Sequence, residues 1–159
     1  MKTDLLIQQE FLKLIETESV ENISVNLICN NLNIKRQTFY YHYQSVYDLI
    51  YSIFYSIKIS PEENKSFYEN IWVLQGFFKK FEVLIKAILD SFAENILSEV
   101  VNSYIHLLLL KMGNKTNVAR FYSYGITEII ISLYKKGKLN KEKLSEELKG
   151  VLKEDLIIK

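Results

Sequence analysis

Residues that interrupt helices are scarce in this sequence of 159 residues, which holds five glycines and one proline. Together they make up about 4% of the chain, where an average protein carries roughly 12%. A chain so poor in glycine and proline has few places where a helix must end. Because no alternating strand pattern appears either, we expect an almost wholly helical protein.

Residues that build metal and redox sites are also few: one cysteine, Cys29, and two histidines. A single cysteine excludes an intramolecular disulfide and any cysteine-rich zinc pattern. The glycines lie too far apart to form a GxGxxG or P-loop motif. We therefore predict no enzyme, no catalytic residue, no metal and no cofactor, and we expect Cys29 to be a small buried hydrophobe.

Long uncharged runs are missing as well. The longest, residues 22–34, has 13 residues, whereas about 18 to 20 apolar residues are needed to span a bilayer. Asp4 and Glu10 interrupt the N-terminal stretch, which is unlike a signal peptide. These features predict a cytoplasmic protein without a membrane segment.

What the sequence does contain is apolar residues at helical spacing. They predict helices at about residues 4–18, 25–32, 35–41, 45–60, 68–79, 81–89, 90–112, 117–136 and 140–153. Ser24, Ser45 and Asn140 are the expected N-caps, and residues 62–66 are polar enough for a linker. The predicted fold is all-α, with an N-terminal three-helix helix-turn-helix lobe at residues 1–59 and a C-terminal helical bundle at residues 60–159.

The helices at 25–32 and 35–41 are separated by about three residues, as in a helix-turn-helix whose second helix enters the major groove of DNA. If Phe39 faces the core and each residue turns roughly 100°, Gln37 lies at about 160° and Tyr41 at about 200°. Both should therefore point outward. Glutamine can pair with adenine, and tyrosine can contact a thymine methyl or a phosphate. The alternative is an ordinary corner between two helices, in which these side chains only pack or face solvent and bind no DNA.

Other side chains around this helix fit the DNA backbone. Lys35 and Arg36 can reach a phosphate or a guanine edge, and Ser24 with the free amides of its helix can hold another phosphate. The flanking DNA backbone could accept hydrogen bonds from the hydroxyl or imidazole groups of Thr38, Tyr40 and His42. The net charge of the chain is only +1, and residues 1–59 hold five basic and six acidic residues. Any nucleic-acid binding must therefore be local.

The run Ile23-Ser24-Val25, followed by Ile28, Leu32, Ile34 and KRQTFYYHYQSVYDL, resembles the DNA-binding domain of TetR-family transcriptional regulators. The segment RQTFYYH followed by YDL is most similar to the dihydroxyacetone-kinase-operon regulators. The resemblance covers residues 4 to about 57 and implies base contacts by Arg36, Gln37 and Tyr41 and backbone contacts by Thr38, Tyr40 and His42. One position departs from the family pattern: Val46 stands where a phosphate-binding lysine is common.

This TetR-like resemblance also implies a homodimer that binds a palindromic operator in double-stranded DNA, most often as a repressor. The last two helices, 117–136 and 140–153, would form the dimer interface. Small-molecule or protein effectors would act on the C-terminal domain. The aromatic residues that are candidates for an effector pocket are Trp72, Phe77, Phe78, Phe81, Tyr104 and Tyr122, although aromatics at helical spacing are also typical of a plain core.

Two other functions stay open on the sequence alone. A protein-binding adapter with weak or lost DNA binding would fit the short C-terminal segment, Val46 and the acidic balance of the first lobe. A bundle that sequesters a small molecule would need a large apolar cavity and no affinity for DNA.

Overall fold

A computed structural model describes residues 2–56, 59–89, 91–150 and 152. Every regular element in these ranges is helical, so the predicted all-α class is confirmed. The chain forms two compact units. The first contains residues 1–58 and 80–97, and the second contains residues 59–79 and 98–159.

The predicted boundary after residue 59 therefore misassigns residues 80–97, which belong with the N-terminal residues rather than with the C-terminal bundle. Their apolar side chains explain why. The ring of Phe81 packs edge-on against Phe54, with centroids 5.1 Å apart. Leu84, Ile85 and Ile88 are buried, and burying such side chains contributes about 1.5 to 3 kcal/mol each.

The first unit is a small helical domain with its own core. Its helices are α1 (Thr3–Leu14), α2 (Val25–Leu32), α3 (Arg36–His42), α4 (Val46–Tyr55) and α6 (Glu82–Ile88), with a short 3-10 turn at Val20–Asn22. Side chains with no exposed surface form the core: Ile7, Phe11, Ile28, Phe39, Leu49 and Ile50. This core lies directly behind α3.

The second unit contains longer helices. They are α5 (Phe67–Lys80), α7 (Glu94–Lys111, from residue 98 onward), α8 (Thr116–Lys135) and α9 (Lys141–Lys149). The 20 residues of α8 correspond to about 30 Å of helix. The core consists mainly of aliphatic side chains from these helices, including Leu74, Ile105, Leu109, Ile126, Ile130 and Leu148.

Three predicted N-caps are confirmed. Ser24 Oγ accepts the Leu27 N–H at 3.2 Å, Ser45 Oγ accepts the Asp48 N–H at 3.1 Å, and Asn140 Oδ1 accepts the Lys143 N–H at 2.9 Å. Each bond satisfies one of the four backbone donors that a helix leaves free at its start. The starts of α2, α4 and α9 therefore follow from local chemistry.

Several predicted helices are too long. Helix α1 ends at Leu14 instead of residue 18. The Leu14 carbonyl accepts the Glu18 N–H at 2.8 Å and the Thr17 hydroxyl at 3.4 Å, which closes a turn. Helix α7 begins at Glu94 instead of residue 90, and α9 ends at Lys149. Helix α4 ends at Tyr55 instead of residue 60. Residue 90, where one predicted helix begins, and residue 153, where another ends, lie outside the described residues.

Residues 62–66, predicted as a linker, form an ordered turn around a buried side chain, Asn70. Its amide donates to the carbonyl oxygens of Glu62, Lys65 and Ser66 at 2.9, 3.0 and 3.2 Å. Its Oδ1 accepts the Glu62 N–H at 2.7 Å. The linker prediction is therefore wrong, because one asparagine side chain holds the backbone of Glu62, Lys65 and Ser66 in a defined turn.

Within the described ranges, none of the helices is both long and apolar enough to cross a bilayer.

Candidate nucleic-acid interface

A tight turn joins α2 to α3. Asn33 adopts the left-handed conformation (φ 52°), which asparagine tolerates better than most residues. The Ile34 N–H donates to the Cys29 carbonyl at 3.0 Å, and the Asn33 N–H donates to the Asn30 carbonyl at 3.2 Å. This pattern is a Schellman motif, which ends α2 and starts α3 three residues later.

Helix α3 is fixed by its inward face. Phe39 has no exposed surface. The ring of Tyr43, the residue just after the helix, lies 5.8 Å from that of Phe39 and is also buried. The helix has only seven residues, and isolated helices of that length are unstable in water. Its orientation therefore depends on these core contacts.

The outward face of α3 carries Gln37 and Tyr41, the two residues that the helical wheel predicts to point outward and that are expected to contact the bases of DNA. Gln37 is exposed, and Tyr41 is 84% exposed. Tyr40, the residue next to Phe39 and therefore about 100° from it around the helix, is 55% exposed. The orientation expected from the helical wheel is therefore observed. We call Lys35, Arg36, Gln37, Tyr40 and Tyr41 the α3 face.

The other predicted DNA contacts lie on the α3 face or beside it, all in the first unit. Lys35 and Arg36 are exposed at the start of α3, whereas Thr38 and His42 are half-buried. The His42 ring meets Tyr41 edge-on at 5.0 Å. Ser24 is exposed, and since its oxygen already accepts the Leu27 N–H, its hydroxyl proton is the group left to donate to a phosphate.

Cys29 is buried behind the turn, as predicted. Burial raises the pKa of its thiol, and the nearby positive charge of Arg36 lowers it by a smaller amount. A buried thiol with a raised pKa is mostly protonated near neutral pH and is a poor nucleophile. The Cys29 side chain therefore acts as a small apolar group in the core behind α2 and α3.

The six candidate pocket residues do not share one environment. Phe81 lies in the first unit, and the other five lie in the second. Phe77 and Phe78 are core side chains, and Phe78 packs on Tyr134 with ring centroids 4.6 Å apart. The Tyr104 hydroxyl donates to the Asn70 carbonyl at 2.7 Å. Burial, and to a smaller extent the charge of Glu62, raises the pKa of Tyr104 to about 12.

The other two aromatics line separate cavities of the second unit. Trp72 borders an apolar void of about 10 Å³ between α5, α8 and α9, which is near the lower limit for holding one water molecule. Tyr122 borders an open groove of about 630 Å³ along α8. The other groove residues, which we call the α8 face, are Asn117, Arg120, Phe121, Tyr124 and Gly125.

Sequence reasoning missed a half-buried polar contact in the first unit. The Gln8 side chain donates from Nε2 to the Tyr43 hydroxyl at 3.0 Å and to Ser52 Oγ at 3.4 Å. Gln8 lies about 20° from Ile15 around α1, within the inward stripe of that helix. A glutamine at an apolar position was the signal that could have revealed this contact.

Buried polar atoms in α7 were also missed. Asn102 Oδ1 and His106 Nε2 are buried without a hydrogen-bond partner among the described residues. The two residues are four apart and share one helix face. In the described part of the chain, histidine, cysteine and carboxylate side chains form no group of three that could hold a metal ion.

Comparisons with known proteins do not assign the chain. No protein-family model matches the sequence, and a search of curated proteins finds no match.

Proposed function

We propose that this chain is a dimeric, sequence-specific DNA-binding regulator of transcription with a TetR-like architecture. Helix α3 would read a palindromic operator, and an effector in the second unit would release the DNA. The chain would act in the cytoplasm as a repressor, the outcome that the family resemblance implies.

One observation carries this proposal: the opposite exposure of neighbouring residues on α3. Phe39 has no exposed surface, whereas Tyr41, two residues later, is 84% exposed. Tyr41 is next to Tyr40, which is 55% exposed, and an exposed patch of neighbouring aromatic rings is typical of an interaction site. Its neighbours in the α3 face donate or accept hydrogen bonds or carry positive charge, which favours a polar, anionic partner such as DNA.

The test is selection from a pool of random DNA duplexes by the purified chain, followed by sequencing. We expect enrichment of an inverted repeat with half-sites about 34 Å, or one helical turn, apart. Gln37→Ala should remove the preference at one position of each half-site. Gln9→Ala, an exposed glutamine on α1, is the matched control. Failure of the wild-type chain to enrich any sequence would refute the proposal.

The α8 face supports the dimer. Phe121 is 76% exposed and Tyr124 is 64% exposed. A Cβ on Gly125 would meet no atom within 4 Å, so nothing described in the chain requires glycine there. Glycine inside a helix costs about 1 kcal/mol relative to alanine. Close approach of a second copy would explain why the side chain is missing.

The charges on α8 suit such a pairing. Arg120 and Glu128 are both exposed and lie one turn on either side of Tyr124. If two α8 helices cross antiparallel near Tyr124, each Arg120 faces Glu128 of the second copy. Parallel pairing would place like charges together. The α8 face is therefore complementary to itself, as an interface with two-fold symmetry must be.

The proposed effector site involves α7. Asn102 Oδ1 and His106 Nε2 lack partners among the described residues, and a buried polar atom without a partner costs about 1 to 3 kcal/mol. A ligand hydroxyl would donate to Asn102 Oδ1, and a hydroxyl or carbonyl oxygen of the ligand would accept from His106 Nε2–H. Such a ligand should raise the unfolding temperature of the wild-type chain, and the rise should be lost in His106→Leu.

The acidic balance of residues 1–59, with five basic and six acidic side chains, favours a second candidate. In that case the chain would be an adapter of the same fold whose aromatic surfaces bind another protein. No shift of any duplex at low salt, together with stoichiometric co-purification of one specific protein, would support the adapter over the regulator.

A further inference from the structure

A single amide side chain connects three elements of the first unit. Gln8 lies on α1, Tyr43 directly follows α3, and Ser52 lies on α4. Gln8 Nε2 is 3.0 Å from the Tyr43 hydroxyl and 3.4 Å from Ser52 Oγ. The two hydrogens of the amide group are thus directed to two different helices or helix ends.

Both acceptors are also donors. The Tyr43 hydroxyl donates to the Asp4 carbonyl at 3.4 Å, and Ser52 Oγ donates to the Leu49 carbonyl at 2.8 Å. Each hydroxyl therefore accepts one bond and donates one. We call Gln8, Tyr43 and Ser52 the polar triad. Because each hydroxyl has both its donor and its acceptor role filled, the hydrogen bonds favour one arrangement of the elements that contribute them.

Tyr43 transmits this arrangement to α3. Its backbone N–H donates to the Phe39 carbonyl at 2.9 Å, and its ring packs on that of Phe39. Apolar contacts fix how far α3 lies from the core, but they have little direction and tolerate small rotations. Hydrogen bonds depend on both distance and angle. The hydroxyl of Tyr43 is therefore the group best placed to fix the rotation of α3.

We propose that Gln8 is a positioning residue for sequence recognition: through Tyr43 it holds α3 at the angle at which Gln37 and Tyr41 reach the base edges. This inference rests on the proposed function. Gln8 is half-buried, and its partners are protein groups, so its effect on DNA is transmitted by α3. Its loss should weaken binding to the preferred sequence more than binding to unrelated DNA, where phosphate contacts dominate.

The experiment compares Gln8→Met, which keeps the length of the side chain and removes the amide, with Gln9→Met at the neighbouring exposed position. Tyr43→Phe and the double variant Gln8→Met/Tyr43→Phe complete the set. Two quantities are measured well below the unfolding temperature: the ratio of Kd values for unrelated and preferred duplexes, and the hydrogen-exchange rate of the Tyr43 amide in the free protein.

We expect Gln8→Met to lower the Kd ratio roughly tenfold, since both subunits lose a net hydrogen bond, and to accelerate exchange of the Tyr43 amide. Gln9→Met should change neither quantity. The double variant should be no worse than the worse single variant, because both remove the same bond. A purely structural role would lower the unfolding temperature and leave the Kd ratio unchanged.

The possible failures are distinguishable. If the wild-type chain prefers a sequence and Gln8→Met keeps the full preference, the positioning role is refuted while the proposed function stands. If the hydrogen-exchange rate of the Tyr43 amide is the same in Gln8→Met and in the wild-type chain, Gln8 does not restrain α3 through Tyr43. This result needs no DNA. If the wild-type chain prefers no sequence, the proposed function fails, and the positioning role fails with it.

Discussion

The α3 face and the α8 face both expose aromatic rings, but their chemistry differs. Those of the α3 face are tyrosines on a seven-residue helix, beside two cations and an amide. The α8 face presents Phe121 and Tyr124 on a 20-residue helix, beside a glycine and between opposite charges. We propose DNA as the partner of the first surface and a second copy of the chain as the partner of the second. Exposure alone would not separate these functions.

The largest effect should come from charging the α8 face. Phe121→Glu would place carboxylates in the centre of the proposed dimer interface and raise the dissociation constant of the dimer at least about 100-fold, as is typical for a central aromatic contact. Sedimentation equilibrium measures this change. Phe92→Glu, which replaces another exposed phenylalanine, is the control. A Phe121→Glu chain that dimerises like the wild type would remove the distinction between the two faces.

The next effect separates the faces directly. Tyr41→Ala should lower the preference for the selected duplex roughly 100-fold, about tenfold for each half-site, and leave dimerisation unchanged. Tyr124→Ala should weaken dimerisation and keep the base preference of each half-site. Binding and sedimentation measurements on both variants give the comparison. If both variants lose both properties, the two surfaces do not have separate functions.

A third effect concerns buried chemistry in the second unit. The folded-state pKa of Tyr104 is raised to about 12, whereas tyrosine in an unfolded chain titrates near 10. The contribution of Tyr104 to the free energy of unfolding is therefore complete below about pH 10 and is lost as the pH rises through about 12. The loss amounts to roughly 2 kcal/mol. Denaturant unfolding from pH 9 to 12 should show this loss in the wild-type chain. An equal loss in Tyr104→Phe would contradict the assignment.

The smallest effect tests the cations of the α3 face. Lys35→Ala should weaken binding to all duplexes and reduce the slope of log Kd against log salt by about one for each phosphate that a subunit no longer neutralises. Lys138→Ala, an exposed lysine of the second unit, should leave the slope unchanged. A Lys35→Ala variant that loses only sequence preference would show that Lys35 contacts a base.

Local chemistry made much of this architecture predictable from the sequence. Ser24, Ser45 and Asn140 cap their helices as expected, and Asn33 ends α2 in the left-handed conformation. The outward direction of Tyr41 follows from helical geometry once Phe39 is buried. These features depend on a few neighbouring residues, so a sequence pattern is sufficient to predict them.

Contacts between distant residues were not predictable in the same way. Gln8 and Tyr43 are 35 residues apart, and the Asn70 side chain organises residues 62–66 through hydrogen bonds to their backbone. Residues 80–97 join the first unit because their apolar face packs there. Each result depends on three-dimensional packing, for which helical periodicity carries no information.

The central claim is that Gln37 reads a base edge, and the most direct measurement pairs a protein change with a DNA change. The Kd values of the wild-type chain and Gln37→Ala are determined for the selected duplex and for one in which the contacted adenine is replaced by 7-deazaadenine, which lacks the N7 acceptor. The account predicts that the base change weakens binding by the wild-type chain about tenfold and leaves binding by Gln37→Ala unchanged. Equal losses in both proteins, at every adenine of the half-site, would contradict it.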